Sequence, residues 1–502
     1  MRETNWLKLE SGSDIRGIAI ADNEQDIELT EEVVEKIGRS FAFWLGDKLD
    51  IETNNLEIGI GHDSRLSADK LSQSLSTGIR SAGADTYFTG LASTPAMFMS
   101  TVFASYNYDG AVMITASHLP SDKNGFKFFT KEGGLEKADI QEILKLAARN
   151  DFRSVNRTGQ DFKIDLMEDY SNHLKNLVRA NLNEEVDQEK PLKGFKVILD
   201  AGNGSGGFFV DKILKPLGAD TEGSQFLEPD GNFPNHPPNP EDKEAMASIQ
   251  GAVKVTNADL GIIFDTDVDR AAVVDGDGNS INRNKLIALA SAIVLEENPG
   301  STIVTDSVTS VGLNKFIEEK LGGKHHRFKR GYKNVINEAI RLEQEGIKAP
   351  LAIETSGHAA LKENYFLDDG AYLVAKILIK MANLATEGIK LKSLIEDLEE
   401  ANIKKEFRMD IDLEDYKDYG QQVIDDLKEY VTKIPGWKLA PNNYQGVRIS
   451  TGGNDWFLLR MSLHDPVLVL NIECDLDKDL NQTLTEIKEF LNRYNAIKSI
   501  GF

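Results

Sequence analysis

FKVILDAGNG, residues 195–204, reads as an apolar strand that ends at Asp200 and breaks into a glycine-bearing turn. A helical pattern follows and closes in PLGADTEG (216–223), a second turn leading into another strand. The same succession occurs on either side. LEIGIGHDSR (56–65) leads through a helical stretch to SAGADTYF (81–88), and STIVTDSVTS (301–310) leads to KLGGKHHRF (320–328). The separation from the strand-end residue to the one beyond the helix is similar each time: Asp63 to Asp85, Asp200 to Asp220, Asp306 to Lys324. One right-handed βαβ crossover needs about that length. Three such units and a C-terminal segment of different character predict an α/β protein: three topologically similar α/β domains plus a smaller C-terminal α+β domain.

We expect these domains at residues 1–155, 156–282, 283–400 and 401–502. A charged stretch, NLNEEVDQEKPLK (181–193), with a helix from about Asp165 before it, marks the approach to the second. PDGNFPNHPPNPED (229–242) is too rich in Pro and Asn for helix or strand and is expected as a long surface loop. The hairpin-like AAVVDGDGNSI (271–281) gives way to a helix near Arg283. A further helix from Leu391 to Glu400 leads to IKKEFRMDIDL, where the fourth domain begins.

The length of 502 residues agrees with this count, at roughly 100–200 residues per domain. Acidic residues outnumber basic ones, 81 to 57, for a net charge of −24. That field opposes general binding to nucleic acid or an anionic membrane, so an anionic substrate must be met by local Arg and Lys clusters. One cysteine, Cys474, excludes an intramolecular disulfide and a cysteine-based zinc cluster, and suits a reducing compartment. MRETNWLKLE has no apolar core of the kind a secretory signal needs, so cytoplasmic residence is expected. The apolar stretch Leu286–Leu295 is too short for a bilayer, is flanked by Lys285 and Glu296, and reads as a buried helix.

Five constellations could carry chemistry. In DGAVMITASHLPSDKNGFKFF (109–129), Ser117 and His118 open a polar loop between two strands, with Lys123 and Lys127 following. A hydroxyl among cations suits a nucleophile in a phosphate site, although the same residues also suit a capped loop. In ADLGIIFDTDVDRAAVVDGDG (258–278), Asp265, Asp267 and Asp269 alternate after an apolar strand and can converge on a hard cation. An EF-hand would need Gly and Glu where Arg270 and Gly276 stand, so open-coordination Mg²⁺ shared with a phosphate fits better, with Arg270 at its side. DAGNGSGG (200–207) imitates a dinucleotide fingerprint, but the signal is weak and a tight strand-to-helix turn explains it better. IETSGH (353–358) offers Glu354, Ser356 and His358 to sugar hydroxyls, and WFLLRMSLHDP (456–466) offers Arg460, Ser462 and His464 to a phosphate.

In this order and over nearly the whole chain, these motifs resemble the α-D-phosphohexomutase family. TASHLP (115–120) is similar to its phosphoserine loop T-A-S-H-N-P, and DTDVDR (265–270) to its magnesium loop D-G-D-G-D-R. ETSGH (354–358) looks like its sugar-binding loop, SDIRG (13–17) brings in Arg16, NGFK (124–127) brings in Lys127, and RGYK (330–333) brings in Lys333. The chain departs from the family's R-x-S-G-T-E-P phosphate loop at Leu463 and His464, and has Leu119 where Asn is usual. The imidazole of His464 could still donate to a phosphate.

The resemblance implies four domains around a central cleft and a phosphohexomutase that interconverts hexose 1-phosphate and hexose 6-phosphate, of mannose, glucose or both. Ser117 carries the phosphoryl group, and a hexose 1,6-bisphosphate is intermediate and activator. One Mg²⁺ is held by Asp265, Asp267 and Asp269 with Ser117. Lys127 or His118 moves the hydroxyl proton, Arg16 and Arg270 hold the reacting phosphoryl group, and Lys333, Glu354, Ser356, His358, Arg460, Ser462 and His464 bind the substrate. The expected partner is a small-molecule phosphosugar, without nucleic acid or membrane, for a monomer or homodimer. Phosphoglucosamine mutase, a catalytically silent sugar-phosphate binder and, from DAGNGSGG, a nicotinamide-dependent dehydrogenase stand as alternatives.

Overall fold

The computed structural model describes residues 5–21, 26–441, 443–462 and 465–498. The chain forms two compact units, one of residues 1–282 and 356–393, the other of residues 283–355 and 394–502.

In the first unit, the strands Gly110–Ile114, Glu57–His62, Asp85–Leu91 and Asp161–Lys163 lie side by side and parallel. Lys123–Thr130 runs antiparallel beside Gly110–Ile114, and Asp14–Ile18 antiparallel beside that. GAVMI is buried at every position, the mark of a strand covered on both faces by helices. The helix Ala68–Ser81 makes the crossover of the first repeat, as expected. A second sheet orders Ser280–Ile281, Ala271–Asp275, Leu260–Phe264 and Val197–Asp200, the last two parallel. AAVVDGDGNSI is the expected hairpin.

The second repeat departs from its reading. After Val197–Asp200 comes a short turn, Val210–Leu214, bonded from residue i+5 to i, as from Lys215 N–H to the Val210 carbonyl at 3.0 Å. The expected return strand shrinks to two isolated bridges, Lys196 with Asp220 and Asp200 with Gln225. Helix Lys243–Thr256 then leads to the parallel neighbour Leu260–Phe264. A Cβ on Gly204 would sit 2.6 Å from the Thr266 carbonyl oxygen, and one on Gly207 2.3 Å from that of Leu227. These glycines serve close packing against the chain's own backbone, which fills the approach a dinucleotide pyrophosphate needs.

PDGNFPNHPPNPED forms neither helix nor strand, as expected, yet it is more than a surface loop: Gly231, His236, Pro238 and Pro240 within it are buried. Asp165 caps helix Leu166–Ala180 through the Glu168 N–H, and Asp369 caps Gly370–Ala385 through the Tyr372 N–H. Tyr170 donates to Asp369 at 2.7 Å and ties these two helices together.

In the second unit, Lys324–Arg327, Thr302–Thr305 and Leu351–Ile353 are parallel neighbours. The crossover helix Val311–Lys315 passes into Phe316–Lys320, again with an i+5 turn. Leu286–Leu295 lies within helix Asn284–Glu297 and is buried at every position but Ala292, as its composition foretells. The expected helix from Leu391 to Glu400 is shorter, with one tight helical turn at Leu391–Ile395. Beyond it stands an antiparallel sheet ordered Ile403–Asp410, Val467–Cys474, Asp455–Met461, Val447–Gly452 and Lys438–Leu439, packed by helices Tyr416–Val431 and Asp477–Leu491. Among the described residues no helix is long and apolar enough to cross a membrane.

Candidate active site

Two loops of the first unit leave the C-terminal ends of buried parallel strands, where α/β sheets present their ligands. Gly110–Ile114 delivers the loop of Ser117, and Leu260–Phe264 delivers Asp265–Arg270. Ser117 has φ 52°, a conformation uncommon outside glycine. Its N–H donates to Thr115 Oγ1 at 2.8 Å and its carbonyl accepts from Arg65 Nη2 at 2.6 Å, which holds that turn. The Ser117 hydroxyl donates to Asp265 Oδ2 at 3.2 Å, accepts from Arg270 Nη2 at 3.3 Å and stands 3.2 Å from His118 Nδ1.

Asp265, Asp267 and Asp269 are buried, and one carboxylate oxygen from each lies within 4.8 Å of the others. Lys127 pairs with Asp267 at 3.0 Å and with Asp269, Thr94 donates to Asp267, and Arg270 Nη2 lies 3.0 Å from Asp265. Asp267 Oδ1 and Asp269 Oδ1 are buried without a hydrogen-bond partner. Unsatisfied carboxylate oxygens at a converging triad are the donor set a hard divalent cation takes, so the residues fit Mg²⁺.

Burial, reinforced by Asp269, pushes the Asp265 carboxyl well above its ordinary range, whereas Lys127, His358 and Arg270 overcome burial to hold Asp269 well below its own. Desolvation of its ring, with the cations Arg270 and Arg16 nearby, pushes His118 down to about 3, although the residue as a whole is exposed. His118 is therefore a neutral imidazole at ordinary pH. Because Arg270 can only donate, its 2.8 Å contact makes His118 Nδ1 the acceptor and leaves the proton on Nε2. Arg16 is paired with Asp14 at 2.8 Å. Ser356 Oγ lies 2.8 Å from His358 Nδ1, and His358 Nε2 lies 3.9 Å from Asp269.

The structure thus brings together Ser117, His118, Lys127, Arg270 and the three aspartates, with His358 and Ser356 beside them. Glu354 falls in the second unit, where its Oε1 accepts the Gly331 N–H at 2.6 Å and so joins the RGYK turn to the ETSGH strand end. Lys333 is the second residue of the helix Tyr332–Gln344 beyond that turn. Arg460 is 4 % exposed, and burial with the like charge of Arg330 lowers it to about 10. A buried guanidinium that feels the like charge of a second one suits a dianion. The Ser462 N–H donates to the Val467 carbonyl at 2.8 Å. His464 lies outside the described residues.

Sequence reasoning passes over Arg65, Asp63, Asn239 and Arg330. The Arg65 guanidinium donates to the carbonyls of Ser117, Leu119, Pro120 and Lys123 at 2.5–2.7 Å, four acceptors on one loop. Its Nε lies 3.3 Å from Asp63, whose carboxyl burial raises to about 6 despite that cation. The signal for Arg65 is a cation two residues beyond a strand-end Asp. Asn239 Oδ1 accepts from Arg270 Nη1 at 3.2 Å, and nothing in a Pro- and Asn-rich loop distinguishes that Asn from its neighbours.

Comparison with known proteins bears on this arrangement. Family models described as phosphoglucomutase/phosphomannomutase, alpha/beta/alpha domains I, II and III, match residues 8–154, 168–278 and 282–401. A phosphomannomutase/phosphoglucomutase of Pseudomonas putida is 32% identical over 448 residues, 88% of this chain and 89% of that one. A phosphoglucomutase of Neisseria gonorrhoeae is 30% identical over 96% of this chain and 95% of its own. The crystal structure of a phosphoglucomutase/phosphomannomutase family protein from Burkholderia thailandensis has a TM-score of 0.80 at 27% identity, covering 97% of this chain and 98% of that one.

Proposed function

The chain belongs to the phosphoglucomutase/phosphomannomutase family of α-D-phosphohexomutases, and from that membership we propose that it interconverts hexose 1-phosphate and hexose 6-phosphate, of mannose, glucose or both. The observation that carries the reading is the Ser117 hydroxyl set between Asp265 Oδ2 at 3.2 Å and Arg270 Nη2 at 3.3 Å, beside a buried aspartate triad.

In this reading phospho-Ser117 gives its phosphoryl group to the free hydroxyl of the sugar monophosphate, and the resulting 1,6-bisphosphate returns its other phosphate to Ser117. Arg270 and Arg16 hold the moving phosphoryl group, since a loose transition state spreads charge over its equatorial oxygens. Mg²⁺ held by Asp265, Asp267 and Asp269 supplies further charge stabilisation there when bound. Lys127 and His118 are the groups placed to move the hydroxyl proton. Lys127 reaches the triad directly, and His118 Nδ1 stands 3.2 Å from the Ser117 hydroxyl. Arg460 and Ser462, with Arg330, suit the distant phosphate. Glu354, Lys333, Ser356 and His358 suit the sugar. In this reading Glu354 and Ser356 meet the adjacent ring hydroxyls O3 and O4 and do not sense C2, where glucose and mannose differ, which supports activity on both.

We further propose a four-domain division at residues 1–155, 156–282, 283–400 and 401–502, and a cytoplasmic setting. The repeats support the first, and the acidic surface with a single cysteine supports the second. The test is a Mg²⁺-dependent coupled assay on glucose 1-phosphate and mannose 1-phosphate, primed with hexose 1,6-bisphosphate. Turnover that collapses in Ser117→Ala is the expected result. A folded, Ser117-phosphorylated parent inactive on both sugars refutes the assignment and moves the assay to glucosamine phosphate.

A further inference from the structure

The segment 229–242 touches both arginines that bracket Ser117. Against the first, a Cβ on Gly231 would lie 2.4 Å from Leu66 N and 2.6 Å from the Ser64 carbonyl oxygen, so the segment's backbone presses on the turn that carries Arg65. The Arg65 guanidinium carbon sits 5.3 Å from the centre of the Phe233 ring, and Phe233 takes φ 48°. A guanidinium against an aromatic face is held electrostatically and in orientation. That orientation matters here, because the same guanidinium spans four carbonyls of the serine loop. Against the second arginine, Asn239 Oδ1 accepts from Arg270 Nη1 at 3.2 Å while Arg270 Nη2 donates to Ser117 Oγ at 3.3 Å.

Between these contacts lies an anchor. His236 is 6 % exposed; its Nε2 lies 3.0 Å from Asp200 Oδ2 and its Nδ1 2.9 Å from the Pro237 carbonyl oxygen. Both ring nitrogens face acceptors, which makes the ring an imidazolium paired with a carboxylate. Asp200 ends a sheet strand and also accepts from Gly202 N–H and Gln225 Nε2. The Pro237 carbonyl receives the Asn239 N–H at 2.8 Å as well, so the backbone of the residue that meets Arg270 is tied to the same carbonyl as the anchor.

We propose that residues 229–242 are a positioning brace for phosphoryl transfer, seating Arg65 through Phe233 and Arg270 through Asn239, with the His236–Asp200 pair fixing the brace to the sheet. The proposal rests on the reading of Ser117 as phosphoryl carrier. None of Phe233, His236 or Asn239 touches the reacting atoms. They act through the two arginines, and small displacements of those are costly to a transfer that depends on alignment.

The test compares Phe233→Leu and Asn239→Leu with the conservative Phe233→Tyr and Asn239→Asp, which keep the aromatic face and the acceptor oxygen. Each is assayed on glucose 1-phosphate and mannose 1-phosphate, and hydrogen exchange is followed over residues 117–123. The Leu variants are expected to lose about 10- to 100-fold in kcat with KM held within about threefold. The conservative variants should return to within about threefold of the parent. In Phe233→Leu the amides of 117–123 should exchange about tenfold faster while those of Val467–Cys474 do not change. Parental kcat in both Leu variants, or equal losses in the conservative pair, overturns the brace. A parent inactive on both sugars overturns the mutase reading alone, and the exchange data then decide the brace: unchanged protection of 117–123 overturns it, and selective loss upholds it.

Discussion

Val268 sits in the middle of the aspartate loop at φ 67° and is fully buried. A β-branched residue in the left-handed region is an outlier, with a strain of about 1–3 kcal/mol. The family motif D-G-D-G-D-R has glycine at the corresponding place. The surroundings enforce the conformation: the Val268 carbonyl accepts the Gly370 N–H at 3.0 Å, and the flanking Asp267 and Asp269 are tied to Lys127. Replacing Val268 with Gly forfeits about 1.5–3 kcal/mol of side-chain burial and about 0.5–1 kcal/mol of backbone entropy, but it releases the strain. The net cost should be about 1 kcal/mol. Val273, buried in an ordinary strand, carries no strain to release, so Val273→Gly should cost about 2–4 kcal/mol by the same two terms. A sharper sign appears with alanine. At Val273 alanine should be milder than glycine, and at Val268 the order should reverse, because alanine keeps the Cβ that makes φ 67° costly. Urea unfolding of the four variants measures this. A Val268→Ala more stable than Val268→Gly, or glycine costs equal at the two sites, would show that the loop carries no such strain.

Two further outcomes follow from the charges. Lys127→Met removes the cation paired with Asp267 and Asp269 and should destabilise the metal-free protein by about 3–5 kcal/mol. Mg²⁺ should then raise its melting temperature more than the parent's, since in the parent the ammonium competes for the same oxygens; a shift that survives in an Asp267→Asn, Asp269→Asn double variant would refute the site. For His236, burial lowers the imidazole's affinity for a proton, but Asp200 and the more distant Asp242 outweigh it and raise the folded-state pKa. Its stabilisation is therefore complete below about pH 6.5, the unfolded value, and is lost as pH rises through the elevated folded value. The urea midpoint of the parent relative to His236→Gln should fall across pH 6–9, and a constant difference would contradict the imidazolium assignment.

What could be read in the sequence divides along a physical line. A strand buried on both faces announces itself as an unbroken apolar run, so GAVMI, VILD and LGIIF are visible without a structure, and so are the polar residues released at their ends. Ser117 and the aspartates belong to that class. The second repeat misleads because its glycines answer to contacts with Thr266 and Leu227, remote in sequence, and not to a helix that begins after them. Arg65 and Asn239 belong to a third class. The acceptors of Arg65 lie 52–58 residues onward, and the partner of Asn239 lies 31 residues onward. Neither has a local period or spacing that points to its partner, and each works by holding another residue. A site read from sequence therefore tends to contain the groups that meet substrate and to omit those that hold them, because substrate contact favours recognisable residue types on strand-end loops while support depends on chain crossings that only the fold creates. The loop 229–242 is the clearest instance: its composition excludes helix and strand, and says nothing of the two arginines that its Phe233 and Asn239 meet.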